Sequence, residues 1–231
     1  LMPGTGMSAL TDTVKLTTHA VSCGCAGVLM LPPFYYKGVS DDGLFASYSE
    51  VIQRVGDERL NIYLYHIPPV SQIGISLELI GRLLRDSPDV IVGLKDSSGD
   101  WNNTASILKE YPQLATFCGS EVFLLETLRN GGAGSITALG NVNIFSIKSL
   151  FSDWQNSDAF SLQEQLTRVN VCVRSFGLIP ALKAIVGDFY DSSDWRTVRP
   201  PLGSLEASKA EELLKALSEA NFNMAGSGAP Q

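Results

Sequence analysis

The sequence predicts an α/β fold, in which helices cover a parallel β-sheet and a helical segment follows it. Two patterns support this prediction. Short runs of apolar and β-branched residues alternate in strict order with amphipathic stretches, and after about residue 142 only helical patterns remain. Strict alternation requires crossover connections, which place parallel strands side by side. The length of 231 residues also allows a single α/β barrel, which typically has about 250 residues.

Five runs have the length and composition of buried strands. Each is too short, and too apolar on both faces, for a strand at the surface, and this favours a parallel sheet. The predicted strands are residues 27–31, 60–65, 90–94, 115–118 and 134–138.

Helical periodicity fills the intervals, since apolar residues recur there every three to four positions. Three of these stretches follow start signals that contain residue types common at helix N-caps, namely Ser40 or Asp41, Ser76, and Ser120-Glu121. The predicted helices are residues 8–21, 42–55, 77–84, 101–108, 122–128 and 206–220. We expect one continuous domain: residues 1–142 form the sheet and its helices, and residues 143–231 form the last covering helix and a C-terminal helical extension.

The composition argues against several classes of protein. The chain has 17 basic and 24 acidic residues, a net charge of −7 and no cluster of Lys and Arg, which disfavours a nucleic-acid partner. No apolar run approaches the roughly 20 residues of a membrane-spanning helix, so we expect no membrane contact. The cysteines at positions 23, 25, 118 and 172 have no metal-binding or redox spacing. We therefore expect reduced thiols, a cytoplasmic location, and neither a metal nor a cofactor.

Lys95 is the sharpest candidate for chemistry, because function in α/β folds gathers where parallel strands end. It follows the apolar run 90–94 directly, at a point where alternation could aim it into a barrel. Desolvation of an amine favours its neutral form, which can attack a ketone as a Schiff-base nucleophile. The alternatives are a lysine that extends to the rim or one that pairs with Asp96.

Aromatic side chains lie at neighbouring strand ends. Tyr65 ends the run 60–65, and its phenol could relay protons to an amine within hydrogen-bond reach; it could equally be a core aromatic residue with a satisfied hydroxyl. Tyr35 and Tyr36 point opposite ways if extended, so only one can face the site. His66 follows Tyr65 and should point away from it, in a structural role.

Glycine-rich motifs point only weakly to ligands. Gly4-Thr5-Gly6 lacks the third glycine and the preceding strand of a dinucleotide fingerprint. Residues 131–134, Gly-Gly-Ala-Gly, most simply end a helix and turn into a strand, although such backbone can also approach an anion. A phosphate-binding barrel is therefore a distant possibility.

Several motifs in order resemble the dihydrodipicolinate synthase / N-acetylneuraminate lyase family, over almost the whole chain. They are Leu1-Met2-Pro3-Gly4-Thr5-Gly6, Pro32-Pro33-Phe34-Tyr35-Tyr36-Lys37, Tyr65-His66-Ile67-Pro68, Val92-Gly93-Leu94-Lys95-Asp96-Ser97-Ser98-Gly99 and Gly131-Gly132-Ala133-Gly134-Ser135-Ile136. The resemblance implies a (β/α)8 TIM barrel of class I, pyruvate-dependent aldolases, usually tetramers built from dimers. This chain would correspond to strands three to eight and the C-terminal helices.

The resemblance also implies roles for individual residues. Lys95 would form the Schiff base with pyruvate, and Tyr65 would relay protons close to it. Tyr35 matches a tyrosine that, in the synthases, reaches across the dimer interface to complete the relay. Gly119 and Ile136 match positions that line the pocket through backbone groups.

Two departures from the family bear on the substrate. The synthases have a substrate-binding arginine where this chain has Val70, and Asp96-Ser97-Ser98 replaces their usual Glu-Ala-Thr. Without that arginine, the carboxylate of the aldehyde substrate loses a charge-assisted hydrogen bond, and this disfavours aspartate semialdehyde as the substrate. The resemblance thus implies two competing activities, a 4-hydroxy-tetrahydrodipicolinate synthase and a 2-oxo-sugar-acid or 4-hydroxy-2-oxoglutarate aldolase, and Val70 favours the second.

A third departure concerns the family's Gly-Thr-Thr-Gly-Glu loop, which binds the pyruvate carboxylate. No segment of this chain matches that loop. The competing hypothesis is accordingly a catalytically impaired, truncated barrel that binds small oxo acids or partners without turnover.

Overall fold

The computed structural model describes residues 1–224, and its elements follow the predicted order. The strands in this range are β1 (Val28–Met30), β2 (Ile62–His66), β3 (Ile91–Asp96), β4 (Ala115–Cys118) and β5 (Gly134–Ser135). The α-helices are α1 (Leu10–Ser22), α2 (Asp41–Val55), α3 (Pro68–Ser71), α4 (Leu77–Asp86), α5 (Trp101–Glu110), α6 (Leu124–Arg129), α7 (Ile144–Asp153), α8 (Ala159–Ser175), α9 (Leu178–Phe189) and α10 (Ala207–Glu219). Short 3₁₀ helices occupy Glu121–Phe123, Ala138–Asn141 and Ser193–Arg196.

The chain divides into two compact units. The first comprises Leu1–Gly119 with Asn130–Ser135 and holds all the strands named above. The second comprises Ser120–Arg129 with the chain from Ile136, and its elements up to residue 224 are helical. The predicted continuous domain with a division at residue 142 stays a prediction, and its last residues, 225–231, lie outside the described part.

In the first unit the five strands form one parallel sheet in the order β1-β2-β3-β4-β5, so neighbours in sequence are neighbours in space. Helical crossovers join successive strands, and this arrangement is a partial (β/α) barrel. The predicted fold class is therefore confirmed, with every predicted strand present.

The strand register aligns the candidate side chains. Tyr65 of β2 pairs with Lys95 of β3, and Lys95 pairs with Phe117 of β4. Since side chains alternate between faces along a strand, these three share one face. Their neighbours Leu64 and Leu94 are buried on the other face, in a core that the helices of this unit complete.

The segment Leu1–Gly6 differs from a full strand. It makes a single parallel bridge, between Gly4 and Leu29, supported by hydrogen bonds from Thr5 N to Leu29 O (3.1 Å) and from Leu29 N to Pro3 O (2.9 Å). Pro3 has no amide hydrogen to extend this ladder. The segment still lies beside β1, where the resemblance places the family's third strand.

Two predicted helix starts are confirmed by their caps. The Ser40 hydroxyl accepts from Gly43 N (3.2 Å) at α2, and the Ser76 hydroxyl accepts from Leu79 N (3.0 Å) at α4. Each bond satisfies one of the free amides of a first helical turn. The cap therefore sets where each crossover leaves its loop.

In the second unit, α8, α9 and α10 pack around a core of their own. Val169, Val173, Ile185 and Leu213 are among its buried residues. No single helix within residues 1–224 is long and apolar enough to cross a membrane; α8 and α9 pass that test only as a pair, bent by 105°.

Candidate active site

The Lys95 amine and the Tyr65 hydroxyl meet at the carboxyl ends of β3 and β2. Lys95 Nζ donates to Tyr65 Oη across 3.3 Å and lies 4.4 Å from the centre of that ring. Both side chains are half-buried. A primary amine beside a phenol can form an imine and exchange protons with a hydroxyl in place to carry them.

Two aromatic rings lie on the same face as this pair: Phe117 at the level of Lys95, and Tyr63 two residues before Tyr65 on β2. Tyr63 of β2 lies 6.1 Å from Phe117 of β4, measured between ring centres. Between them, β3 presents Gly93, where an added Cβ would lie 2.4 Å from the Tyr63 ring and 2.6 Å from Ala115 O. Glycine at position 93 therefore leaves room for the Tyr63 ring to lie over β3.

Asp96 does not pair with Lys95, because alternation turns its side chain to the helix-facing side. Its carboxylate is buried and accepts from Ser98 N (2.8 Å), Asn103 Nδ2 (2.9 Å) and Thr104 Oγ1 (2.6 Å). These bonds tie the end of β3 to its loop and to α5. Sequence reasoning missed this role, although an Asp two residues before a loop serine is a signal for such a turn.

Backbone hydrogen bonds join the three strand ends around the pair. Ser97 N donates to His66 O (2.7 Å), and Gly119 N donates to Asp96 O (2.6 Å). An added Cβ on Gly119 would lie 2.8 Å from Ser97 Cα. The predicted pocket-lining residue Gly119 is therefore a position where the loops approach too closely for a side chain.

His66 has the predicted structural role. Its ring is buried, and Nδ1 accepts from Ile75 N (3.0 Å), which requires a neutral ring at that nitrogen. Burial lowers the pKa of His66 below its ordinary value of 6.5, and the charge of Asp96 opposes this with a smaller effect.

We expect the free energy of unfolding to decrease as the pH falls through and below about 6.5. At such pH the unfolded chain binds a proton at His66 and the folded chain does not. The contribution of His66 to the free energy of unfolding is therefore complete above its ordinary pKa and is lost in acid. Melting temperatures measured from pH 7.5 to 5 in wild type and His66→Asn test this, since the amide oxygen keeps an acceptor for Ile75. The variant should lose less stability in acid, whereas His19→Asn, at an exposed position, should follow wild type. Equal slopes in all three proteins would contradict the prediction.

The remaining predicted site residues of the first unit are exposed. Tyr35 is 73% exposed, and its ring makes an edge-to-face contact with Tyr36 at 5.2 Å. Val70, on α3, is 74% exposed. Beside it, the Ser71 carbonyl accepts from Lys37 Nζ (2.9 Å), which joins the loops after β1 and β2. No hydrogen bond within residues 1–224 joins Tyr35 to the Lys95–Tyr65 pair, so its relay role stays a prediction.

Ile136, the other predicted pocket residue, belongs to the second unit. It directly follows β5 and is half-buried. Its role, like those of Gly119 and Val70, stays a prediction.

A family model described as the dihydrodipicolinate synthetase family matches residues 1–220. The chain belongs to this family. That match covers both the strand ends that carry Lys95 and Tyr65 and the helices of the second unit. It confirms the resemblance drawn from the motifs.

Individual proteins similar to this chain have names that are consistent with the dihydrodipicolinate synthetase family. The chain is similar to an uncharacterized DapA-like lyase of Chloroflexus aurantiacus, at 36% identity over 186 residues, which is 80% of this chain and 62% of that protein. It is similar to the 4-hydroxy-tetrahydrodipicolinate synthase of Thermus thermophilus, at 31% identity over 226 residues, covering 95% of this chain and 72% of the relative. It is also similar to the crystal structure of dihydrodipicolinate synthase from Agrobacterium tumefaciens, with a TM-score of 0.86 and 31% identity over 94% of this chain and 74% of that one.

Proposed function

We propose that this protein is a Schiff-base-forming class I lyase, which condenses pyruvate with an aldehyde or cleaves the product of such a condensation. The observation that carries the proposal is the 3.3 Å contact between the Lys95 amine and the Tyr65 hydroxyl, at the ends of parallel strands. Membership of the family supports it, since a relative at 31% identity is a 4-hydroxy-tetrahydrodipicolinate synthase.

The first half of the reaction forms the imine. The neutral Lys95 amine attacks the ketone carbon of pyruvate, and a proton passes to the former ketone oxygen. A second proton lets that oxygen leave as water while the nitrogen lone pair forms the C=N bond, which leaves a protonated imine between Nζ and the substrate. The Tyr65 hydroxyl, within hydrogen-bond distance of Nζ, can deliver and recover the protons that this sequence moves.

The second half uses the imine as an electron sink. The methyl carbon loses a proton, and its electron pair shifts toward the imine nitrogen to give an enamine. The enamine carbon then adds to the carbonyl carbon of an aldehyde, whose oxygen takes up a proton. Water hydrolyses the new imine and frees Lys95; cleavage follows the same steps in reverse.

Val70 favours a 2-oxo-sugar acid or 4-hydroxy-2-oxoglutarate as the compound made or cleaved, over the product of pyruvate and aspartate semialdehyde. An exposed valine offers no charged donor to a carboxylate at the position of the synthases' arginine. Two rates separate these activities: turnover of pyruvate with aspartate semialdehyde, and cleavage of 2-oxo-sugar acids. Faster turnover with aspartate semialdehyde would reverse this assignment.

The proposal extends to a cytoplasmic homo-oligomer, a dimer or tetramer. The exposed Tyr35 and Tyr36 pair supports it, because large exposed aromatic residues are enriched where proteins associate. Light scattering in solution measures the assembly directly.

Trapping with borohydride tests the activity without knowledge of the aldehyde. We expect pyruvate and borohydride together, but neither alone, to add one reduced pyruvyl group to Lys95, located by peptide mass spectrometry. We also expect the enzyme to exchange the methyl protons of pyruvate for deuterium in D2O, because the enamine forms reversibly. Pyruvate binding without adduct or exchange would favour the competing hypothesis of a binding protein.

A further inference from the structure

Asp96, the residue after Lys95, is a buried carboxylate that the proposed chemistry does not use. It is 4% exposed, and none of the ion pairs within residues 1–224 includes it. A carboxylate in such a position is costly unless hydrogen bonds replace those it made to water. Three donors do so here, namely Ser98 N (2.8 Å), Asn103 Nδ2 (2.9 Å) and Thr104 Oγ1 (2.6 Å). The Asp96 side chain is therefore held in one arrangement with its loop and with α5.

The loop between Asp96 and α5 is itself held by local hydrogen bonds. Asp100 N donates to Ser98 Oγ (3.1 Å), and Asp100 Oδ1 accepts from Asn102 N (2.9 Å) as the N-cap of the helix. Gly99, between them, has a φ of +78°, which glycine adopts without strain. The end of β3, the loop and the first turn of α5 thus form one connected structure, and the Asp96 carboxylate joins the strand to the helix within it.

The backbone that carries Lys95 is held from two directions. Backbone hydrogen bonds to β2 and β4 hold it within the sheet, among them the bond from Gly119 N to Asp96 O (2.6 Å). The carboxylate adds an anchor from the helix-facing side of the sheet. A lysine side chain is long and flexible, so the position of its amine depends on the direction in which the backbone points it. That direction determines whether Nζ lies within 3.3 Å of Tyr65 Oη.

We infer that Asp96 is a positioning residue for the proton transfers at Lys95, because its anchor on α5 keeps the amine in reach of the Tyr65 hydroxyl. The inference rests on the proposed function, and every residue in it belongs to the first unit. Proton transfer requires hydrogen-bond distance, and a displacement of about 1 Å can slow a reaction by roughly 10²-fold. Loosening the anchor should therefore slow imine formation while the nucleophile itself stays intact.

Thr104→Val tests this, with Thr116→Val as the matched control. Both threonines are buried in the first unit, but the Thr116 hydroxyl donates to Leu114 O (3.5 Å) and not to Asp96. We expect Thr104→Val to lower the rate of borohydride trapping at saturating pyruvate by about tenfold, whereas Thr116→Val should stay within about twofold of wild type. Thr104→Ser, which keeps the hydroxyl, should restore the rate.

Two further variants make the test independent of one buried substitution. Asn103→Ala removes another donor to the carboxylate, at a half-buried position, and should lower the trapping rate by about threefold. Thr104→Val is then repeated in a Tyr65→Phe background. There the hydroxyl that the anchor serves is absent, so the added substitution should change the rate by less than about twofold.

The outcomes separate the inference from the proposed function. Equal trapping rates in Thr104→Val, Asn103→Ala and wild type would overturn the inference alone. So would a loss of equal size with and without the Tyr65 hydroxyl, because a merely structural threonine would behave in that way. Wild-type protein that forms no adduct at any pyruvate concentration would overturn the proposed function, and the inference with it.

Discussion

Replacing Lys95 with methionine is expected to abolish the pyruvate adduct and to lower the exchange of pyruvate methyl protons by at least about 10⁴-fold. Methionine nearly matches the length of the lysine stem, so the packing against the Tyr65 ring is retained while the nucleophile is lost. The amine is the atom that bonds to the substrate in the proposed reaction, so no partial reaction remains without it.

The measurement is intact-protein mass after treatment with pyruvate and borohydride, followed by proton exchange in D2O. Lys109→Met serves as the control, because Lys109 is an exposed lysine of α5 in the same unit. It should keep the full adduct and the full exchange rate. An adduct of wild-type extent on Lys95→Met would mean that another amine reacts and would end the assignment of Lys95.

The fold could be predicted from the sequence because its signals are local. Apolar runs, amphipathic periods and capping serines depend on neighbours within a few residues, and Ser40 and Ser76 cap the helices they were expected to cap. The order of elements then determines a parallel sheet. Lys95 and Tyr65 came together for the same reason, since both stand at the carboxyl ends of adjacent strands.

The polar clusters around the strand ends could not be predicted in the same way. Glu121 and Asn170 are 49 positions apart in the chain yet hydrogen-bonded, and no local pattern relates them. The sequence suggested Asp96 as an ion-pair partner for its neighbour Lys95, whereas its carboxylate accepts hydrogen bonds from Asn103 and Thr104 of α5. Such contacts depend on how a helix packs on its strand, which periodicity alone does not specify.

The position of a reactive pair on a rigid sheet has a chemical consequence. Because Tyr65 and Lys95 are paired in register, their backbones are one inter-strand spacing apart. Hydrogen bonds from Ser97 N to His66 O and from Gly119 N to Asp96 O hold the strand ends together. Proton transfer is efficient only within hydrogen-bond reach. The sheet therefore holds the phenol where each proton transfer at Nζ requires it.

Tyr65→Phe is expected to slow imine formation and methyl-proton exchange by about 10²- to 10⁴-fold, the usual contribution of a positioned proton donor and acceptor. This variant keeps the Lys95 amine, which is the nucleophile, so the borohydride adduct should still form completely but more slowly. This separates the role of Tyr65 from that of Lys95, whose replacement leaves no adduct at any time.

The matched control is Tyr63→Phe, which removes a hydroxyl from the same face of the same strand. Tyr63 contacts the Phe117 ring, and no hydrogen bond of its hydroxyl is present among the described residues. Its loss should change trapping and exchange rates by less than about twofold, because no proton on the reaction path depends on it. If the two variants trapped pyruvate at the same rate, the 3.3 Å contact between Tyr65 and Lys95 would be a packing contact, and the relay would have to come from another group.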